Sequence, residues 1–377
     1  MMPLRILIFG SAQGSHRARE LIYFTSSKFD FLARHLDPGF FATRDRKFIS
    51  RLVGFAARRL DRLLCLHWFA VADLIYILPM AYPSRIEILV AKLFGAKIMG
   101  DFYISRYDTA VNDRKTCIPN SSLARRLLKA DRQFVDNCNH LLFLNCSEKK
   151  YYLELIGREN AAAKTSIAPL CSPANKPAVL PYANGKSQSI SLVWWGTYIP
   201  LHGLEKILKA VSLLRARQCN CKLSIFGAGG TSPAQYQATA SELGLDEFVM
   251  FHHGITFSDG SLQRTLIDRA DIAFGNFGDS VKAKTVLVNK IVEAASFGLP
   301  IISQPTAAVK EFFTDGKDIL FAEATAESIA DQVTKLARDR DLSIAIGRNA
   351  RSLHETTFSR DNYIRQVGSI LESVSRV

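Results

Sequence analysis

The chain lacks a cysteine framework. Its seven cysteines, at 65, 117, 138, 146, 171, 219 and 221, are scattered and odd in number. That excludes a disulfide scaffold and fits a reducing cytosol. Cys219-Asn220-Cys221 has no histidine or further cysteine at ligand spacing, so it reads as two thiols at a loop–strand boundary and not as a metal site. A long apolar run is missing too. The most apolar window, Leu63–Tyr82, contains His67, Asp73 and Pro79. An aspartate near the centre of a span costs about 2.5–3.5 kcal/mol, so the window reads as a helix end, a turn and a buried strand. The start Met1–Gly10 reads as a strand entering a glycine turn, with an apolar part too short for a secretory signal. There is no internal repeat, no low-complexity segment and no recognisable nucleic-acid module, so no nucleic-acid partner is expected.

Two common nucleotide loops are also absent. Gly10-Ser-Ala-Gln-Gly14-Ser-His16 contains glycines, but not at G-x-G-x-x-G spacing, and no acidic residue closes a second strand about 20 residues on. The Gly-Lys-Ser/Thr of a phosphate-binding P-loop is not there. Asp339-Arg-Asp341 has a metal-binding look, yet it follows a helix and not an apolar strand, which assigns it to capping. No metal and no cofactor are expected.

What is present is enough chain for two domains. The 377 residues are about 2.5 times the usual domain length. A composition of 48% hydrophobic and 22% charged residues suits large cores. The net charge of +13 is uneven: residues 1–185 hold 27 Lys+Arg against 15 Asp+Glu, and the remainder is close to balanced. A basic half faces polyanions or anionic lipid.

Strand and helix patterns alternate along both halves, which predicts parallel sheets covered on both faces. The first series has strands at Arg5–Phe9, Asp73–Leu78, Lys97–Asp101 and Leu141–Asn145. Pro169, Pro173, Pro177 and Pro181, with Asn184-Gly185, then interrupt it with a linker composition. The second series has strands at Ser191–Trp195, Lys222–Phe226, Val249–His252, Ile272–Gly275, Leu299–Ser303 and Ile319–Phe321. Gly10, Gly14, Gly196, Gly227, Gly229 and Gly275 are expected just after strands, where a missing Cβ lets backbone N–H groups approach a phosphate.

The most informative segment is Asn289-Lys-Ile-Val-Glu-Ala-Ala-Ser-Phe-Gly-Leu-Pro-Ile-Ile-Ser303. It reads as a helix start, a small-residue helix, a glycine stop and a buried strand. Glu293 must find a polar partner inside that helix, and Lys290 lies one turn earlier on the same face. A helix start with a lysine suits phosphate, and a carboxylate beside it suits sugar hydroxyls. A plain Lys–Glu pair on a surface helix is the alternative.

The flanks, Asp271-Ile-Ala-Phe-Gly-Asn-Phe-Gly278 before and Ala307–Phe313 with Asp315-Gly316 after, complete a constellation. It resembles the C-terminal half of retaining glycosyltransferases of the GT-B fold, family 4 (glycosyl transferases group 1), in the subset with Asn-Lys before the Glu-Ala. Glu293, Ala294, Gly298, Pro300, Ile301 and Ile302 occupy the family positions. The resemblance is strong over 190–360 and weaker over 1–160. It implies an α/β architecture of two doubly wound Rossmann-like domains facing each other across a cleft. The expected boundaries are 1–170 for an acceptor domain, 171–189 for a linker, 190–358 for a nucleotide-sugar donor domain, and 359–377 for a C-terminal helix packing back on the first domain.

The resemblance implies donor binding by Gly14, Gly196, Thr197, His202, Gly227, Lys284, Thr285, Asn289, Lys290 and Glu293. Two departures stand out. The family segment Gly-Arg-x-x-x-x-Lys-Gly is here Gly196-Thr-Tyr-Ile-Pro-Leu-His-Gly203, with Thr197 and His202 in place of two cations. The earlier of the family's paired glutamates falls on Thr285. Lys282, Lys284 or Lys290 is expected to supply the missing charge, and the backbone amides of Phe277–Ser280 to stand in for the missing carboxylate. Asp101, at the end of a strand where the family often has His, and Asp108 are the candidate catalytic residues, as base or acceptor-orienting groups. Capping of the following loop and helix is the other reading for both.

Thr43–Leu66 places Arg51, Arg58, Arg59 and Arg62 beside Phe48, Leu52, Phe55 and Leu63, the composition of a helix lying on an anionic membrane surface. A core-packing helix with a solvated basic face is the alternative. Together these features predict sugar transfer from a nucleotide-sugar donor to a lipid-linked or oligosaccharide acceptor, in cell-surface polysaccharide or glycolipid biosynthesis. The protein would be cytoplasmic, peripheral on the inner face of the cell membrane. A non-catalytic GT-B nucleotide-sugar-binding protein is the alternative that Thr197, His202 and Thr285 keep open.

Overall fold

Short apolar strands alternating with helices dominate the computed structural model, which describes residues 3–12, 15–28, 31–36, 65–230, 232–257 and 259–376. The chain divides into two units. Unit 1 is Met1–Pro169 with Tyr363–Val377, and unit 2 is Leu170–Asn362.

In unit 1 the strands β1 (Leu4–Phe9), β2 (Phe31–Leu36), β3 (Leu74–Ile77), β4 (Lys97–Asp101), β5 (His140–Phe143) and β6 (Thr165–Ile167) form one sheet. Its order is β2-β1-β3-β4-β5-β6, and every pair is parallel. β3 is buried at all four positions, as a strand covered on both faces must be. Local chemistry sets the helix starts. Ser84 and Glu87 form a reciprocal capping box at the helix Arg85–Leu93, and Ser121 and Asn145 cap the helices Ser122–Asn137 and Cys146–Ile156. Gly157, left-handed at φ 62°, ends the last of these. Phe69, Ile88, Phe134, Val135 and Tyr152 close the core over Ile75, Ile98 and Phe143. The C-terminal helix Arg360–Arg376 contributes Tyr363 onward to this unit. Lys28 Nζ meets Glu372 Oε1 at 3.0 Å.

Unit 2 repeats the architecture. Strands β7 (Ile190–Tyr198), β8 (Cys221–Gly230), β9 (Val249–His252), β10 (Ile272–Phe274), β11 (Ile301–Ser303) and β12 (Leu320–Phe321) run in the order β12-β11-β10-β7-β8-β9, again all parallel. The strand order reverses between β7 and β10. In open α/β sheets the crevice at such a reversal, beyond the carboxyl ends of the strands, is where ligands bind.

The differences from the sequence reading have local causes. β2 and β6 were not anticipated: both are short strands whose apolar content carries no period. The segment 171–189, expected as a linker, is fastened to unit 2. Ala178 N donates to Phe297 O at 2.8 Å and Val179 N to Ile267 O at 2.8 Å, while Tyr182 N donates to Asp271 Oδ1 at 2.6 Å. Gly196, Gly227 and Gly229, expected after strands, lie inside them, because β7 and β8 continue past the sheet as a two-stranded extension in which Gly196 pairs with Gly227 and Tyr198 with Gly230. Asp339 caps the helix Arg340–Leu353 by accepting from Leu342 N at 2.8 Å, as its sequence position implied. No described helix is long and apolar enough to cross a membrane.

Candidate functional site

The reversal between β7 and β10 gathers four of the expected donor-binding residues of unit 2: Gly196, His202, Lys290 and Glu293. β7 ends in Trp194-Trp195-Gly196-Thr197-Tyr198. Successive residues on a strand point to opposite faces, so the two indoles serve different neighbours. Trp195 Nε1 donates to Glu293 Oε2 at 2.7 Å, and the bond is buried. This is the polar partner that a carboxylate in a small-residue helix requires. Glu293 sits in the helix Asn289–Phe297, whose N-cap is Val288 and makes no side-chain cap bond.

Lys290 lies one turn before Glu293 and is only 4% exposed. Its Nζ stands 4.2 Å from the centroid of the Trp194 ring and has no hydrogen-bond acceptor among the described residues. Burial holds its ammonium well below the usual lysine range, with Glu293 pulling the other way. His202 stands next to it. Its imidazole meets the Trp194 ring edge-on at 5.9 Å, and its Nδ1 has no partner. Burial first, and then the Lys290 charge, holds the imidazolium well below its ordinary value.

Gly196 makes this convergence possible. At φ +142° it is in a region open to glycine, and a Cβ there would lie 3.2 Å from Lys290 Nζ and 3.6 Å from His202 Nε2. A basic amine, an imidazole and a bare stretch of backbone therefore share one spot. Two buried nitrogen bases of this kind suit an anion chemically: a charged oxygen would favour the protonated forms and offer the hydrogen bonds that burial withholds.

Hydrogen bonds pin the supporting loop. Asn276 Nδ2 donates to Ala283 O at 2.7 Å, Gln304 Nε2 to Gly278 O at 3.0 Å, and Lys206 Nζ to Phe277 O at 3.0 Å. The amides expected to replace the missing carboxylate are partly engaged: Phe277 N donates to His202 O at 3.2 Å, and Gly278 N to Asn276 Oδ1 at 3.3 Å. Thr285, Lys284 and Asn289 stand apart from the buried cluster. The Thr285 hydroxyl donates to Val281 O in its own helix at 3.0 Å, and Lys284 and Asn289 are exposed. Gly227 has a packing role: a Cβ there would lie 1.9 Å from Tyr198 Cζ. The ring it admits stacks between Trp194, at 5.8 Å, and Tyr236, at 5.5 Å.

Unit 1 holds the two expected catalytic carboxylates, and both are buried and engaged. Asp101 Oδ1 accepts from Arg17 Nη2 at 2.7 Å, with each side chain 1% exposed. Burial raises the Asp101 carboxyl and Arg17 opposes the rise. Arg17 also donates to the carbonyls of Ala168 and Pro169 and lies over the rings of Tyr103 and Tyr363. Asp108 accepts from Asn112 Nδ2 at 3.0 Å and from the Tyr151 hydroxyl. The geometry gives both carboxylates an internal partner, which the base reading did not foresee. Arg17, Trp194, Trp195 and Tyr151 were the residues missed. The one sequence signal for any of them was the adjacent Trp pair ending an apolar strand.

Gly14 and the basic residues Arg51, Arg58, Arg59 and Arg62 lie outside the described residues. Among the described residues no group of three or more His, Cys, Asp or Glu side chains is placed to hold a metal ion.

Residues 189–339 match the family model described as glycosyl transferases group 1. Solved structures similar to the chain include sucrose-phosphate synthase (tll1590) from Thermosynechococcus elongatus, with TM-score 0.71 and 12% identity, covering 98% of this chain and 99% of that one. Anabaena Alr3699/HepE in complex with UDP and glucose has TM-score 0.68 and 14% identity, covering 98% and 100%. WaaG, a glycosyltransferase involved in lipopolysaccharide biosynthesis, has TM-score 0.64 and 15% identity, covering 97% and 99%. At these identities the likeness shows the fold, which is GT-B. No curated protein is significantly similar to the chain in sequence.

Proposed function

We propose that this glycosyltransferase moves a sugar from a nucleoside-diphosphate sugar to a lipid-linked or saccharide acceptor, with retention at the anomeric carbon, in the biosynthesis of a cell-surface polysaccharide or glycolipid. The observation that carries the reading is the placement of Lys290 and Glu293 one turn apart on one helix, with His202 beside the amine and Trp195 bonded to the carboxylate. Lys290, with His202, meets the diphosphate, and Glu293 meets the ribose hydroxyls while Trp195 holds its other oxygen. The presence of UDP in the Anabaena structure supports a nucleoside diphosphate as the ligand class.

In the reaction the bond between the anomeric carbon and the β-phosphate oxygen breaks, and a bond to the acceptor oxygen forms. The leaving diphosphate gains negative charge as the bond lengthens. A lysine that is hard to protonate in the free site becomes easier to protonate as that charge develops, so its stabilisation is greatest when the bond is breaking. Lys290 thereby takes over from the two cations replaced by Thr197 and His202. For Asp101 we propose a positioning role: with Arg17 it holds the loop that follows β4, because its Oδ1 is already engaged by a buried guanidinium. We place the protein on the inner face of the cell membrane, where its basic half meets anionic lipid.

The test is release of nucleoside diphosphate from a panel of nucleotide-sugars, with and without lipid-linked and saccharide acceptors, for the parent and Lys290→Met. Acceptor-stimulated turnover that the variant loses supports the reading. Nucleotide binding without turnover on any acceptor would sink it in favour of a binding protein.

A further inference from the structure

The helix Arg85–Leu93 in unit 1 is apolar on both sides. Its inner face is ordinary: Ile88 and Ala91 are buried in the core, and Glu87 is held in the capping box. Its outer face is not. Ile86 is 57% exposed, Leu89 56%, Leu93 71% and Phe94, at the C-cap, 67%. The spacing i, i+3, i+7, i+8 puts these four on one stripe of an α-helix. Single exposed apolar residues are normal, but a contiguous stripe of four marks a contact surface.

The charged residues exposed on the stripe's own helix have one sign. On this helix the exposed charged residues are Arg85 and Lys92. The neighbouring helix Ser122–Asn137 meets it across a cleft lined by Arg85, Leu89, Lys92, Gln133, Asp136 and Asn137, and Lys92 Nζ donates to Asn137 Oδ1 at 2.7 Å. That helix exposes Arg125, Arg126 and Lys129. Of its two acids, Asp131 is fully buried and Asp136 is bound to Arg158 at 2.7 Å. An apolar stripe flanked by Arg85 and Lys92, with Asp136 of the bordering cleft paired to Arg158, matches a bilayer surface with anionic headgroups. Apolar tips enter the acyl boundary while long basic side chains reach to the phosphates. A second copy of the chain fits less well, because a two-fold contact would bring the same cations face to face.

We propose that the outer face of Arg85–Leu93, with Phe94, docks unit 1 on an anionic lipid surface. This deepens the membrane placement of the proposed function and rests on it. The stripe differs in place from the basic segment 43–66, and the two make separable claims.

The test is sedimentation with vesicles of phosphatidylcholine, alone or mixed with phosphatidylglycerol, at low and high salt. The full chain should be captured by the anionic vesicles and less so at high salt. Ile86→Ser/Leu93→Ser/Phe94→Ser, which changes exposed positions only, should lower the partition coefficient at least about tenfold. Arg85→Gln/Lys92→Gln should weaken binding and flatten its salt dependence. Nucleotide binding and the melting temperature should stay at parent values in both. Capture of the triple variant at the parent level would overturn the proposal. If Arg51→Gln/Arg58→Gln/Arg59→Gln/Arg62→Gln alone releases the protein, segment 43–66 is the docking element and the stripe is not. A parent that is dimeric by light scattering and a triple variant that is monomeric, with equal vesicle binding, would assign the stripe to a second copy. No capture of the parent at all would remove the membrane placement itself while leaving sugar transfer open.

Discussion

Trp195 and Glu293, 98 residues apart in sequence, are joined by a buried 2.7 Å hydrogen bond from the indole Nε1 to Oε2. The bond ties the end of the first strand of unit 2 to the helix that carries Lys290, so the proposed anion and ribose contacts share one support.

Trp195→Phe keeps the ring and removes the donor. It should cost about 1–3 kcal/mol of stability, since the acceptor it served stays buried. It should also lower nucleoside-diphosphate affinity by about tenfold as Glu293 loses its orientation. Urea denaturation and calorimetry check the two effects. A variant with parent affinity would show that Glu293 is oriented by other contacts.

Nucleotide binding should take up protons. Lys290 is faced by Glu293 on its own helix, by His202 from the turn before Leu204 and by the Trp194 ring, and in the free protein its ammonium is destabilised. A bound diphosphate reverses that balance, with uptake approaching about one proton per site above the free-state pKa. Calorimetry in two buffers of different ionisation enthalpy measures it. Lys290→Met should abolish the difference between buffers and weaken binding by about ten- to a hundredfold.

The same group shapes stability against pH. Its folded pKa lies below its unfolded one, so between the two the unfolded chain holds the extra proton and stability rises with pH. On acidification, stability falls from the ordinary lysine value down to the folded value and then levels off. His202, also lowered, adds a second fall beginning below the ordinary histidine value. Lys290→Met should remove the alkaline limb of this profile and leave the histidine limb, as read by chemical denaturation across pH.

Gly227→Ala should destabilise unit 2 by about 1–3 kcal/mol, because a methyl group cannot coexist with the Tyr198 ring 1.9 Å away. Tyr198→Ala removes the clashing ring, so the double variant should lose less than the sum of the two singles. A double variant as unstable as the sum of the two singles would argue against the clash.

The Arg17–Asp101 pair should show the asymmetry of buried ions. Arg17→Met leaves a buried carboxylate unpaired and should cost about 3–5 kcal/mol. Arg17→Met with Asp101→Leu should cost less than Arg17→Met alone. Equal losses in the two proteins would mean that the carbonyl contacts of Arg17, and not its charge partner, hold the region.

The doubly wound character of both halves was legible in the sequence because it depends on local chemistry. Alternating apolar strands and helices repeat along the chain, and the strands Lys97–Asp101 and Val249–His252 and the helix starting at Asn289 and stopped by Gly298 stand where their patterns placed them. The strand β2 was not legible, because its hydrogen bonds come from β1 and its own residues carry no periodic signal. The importance of Lys290 and Glu293 was also legible, from a charged pair inside a small-residue helix.

What the residues around that helix do was decided only by the tertiary structure. Sequence spacing shows that Glu293 needs a partner but not that it is Trp195, and shows Asp101 ending a strand but not Arg17, 84 residues away, closing on it. It shows a glycine at 227 but not the Tyr198 ring that requires it. Propensities and caps act over one turn of chain, while a buried polar group is satisfied by whichever side chain the sheet order brings within 3 Å. That neighbour is a property of the fold as a whole.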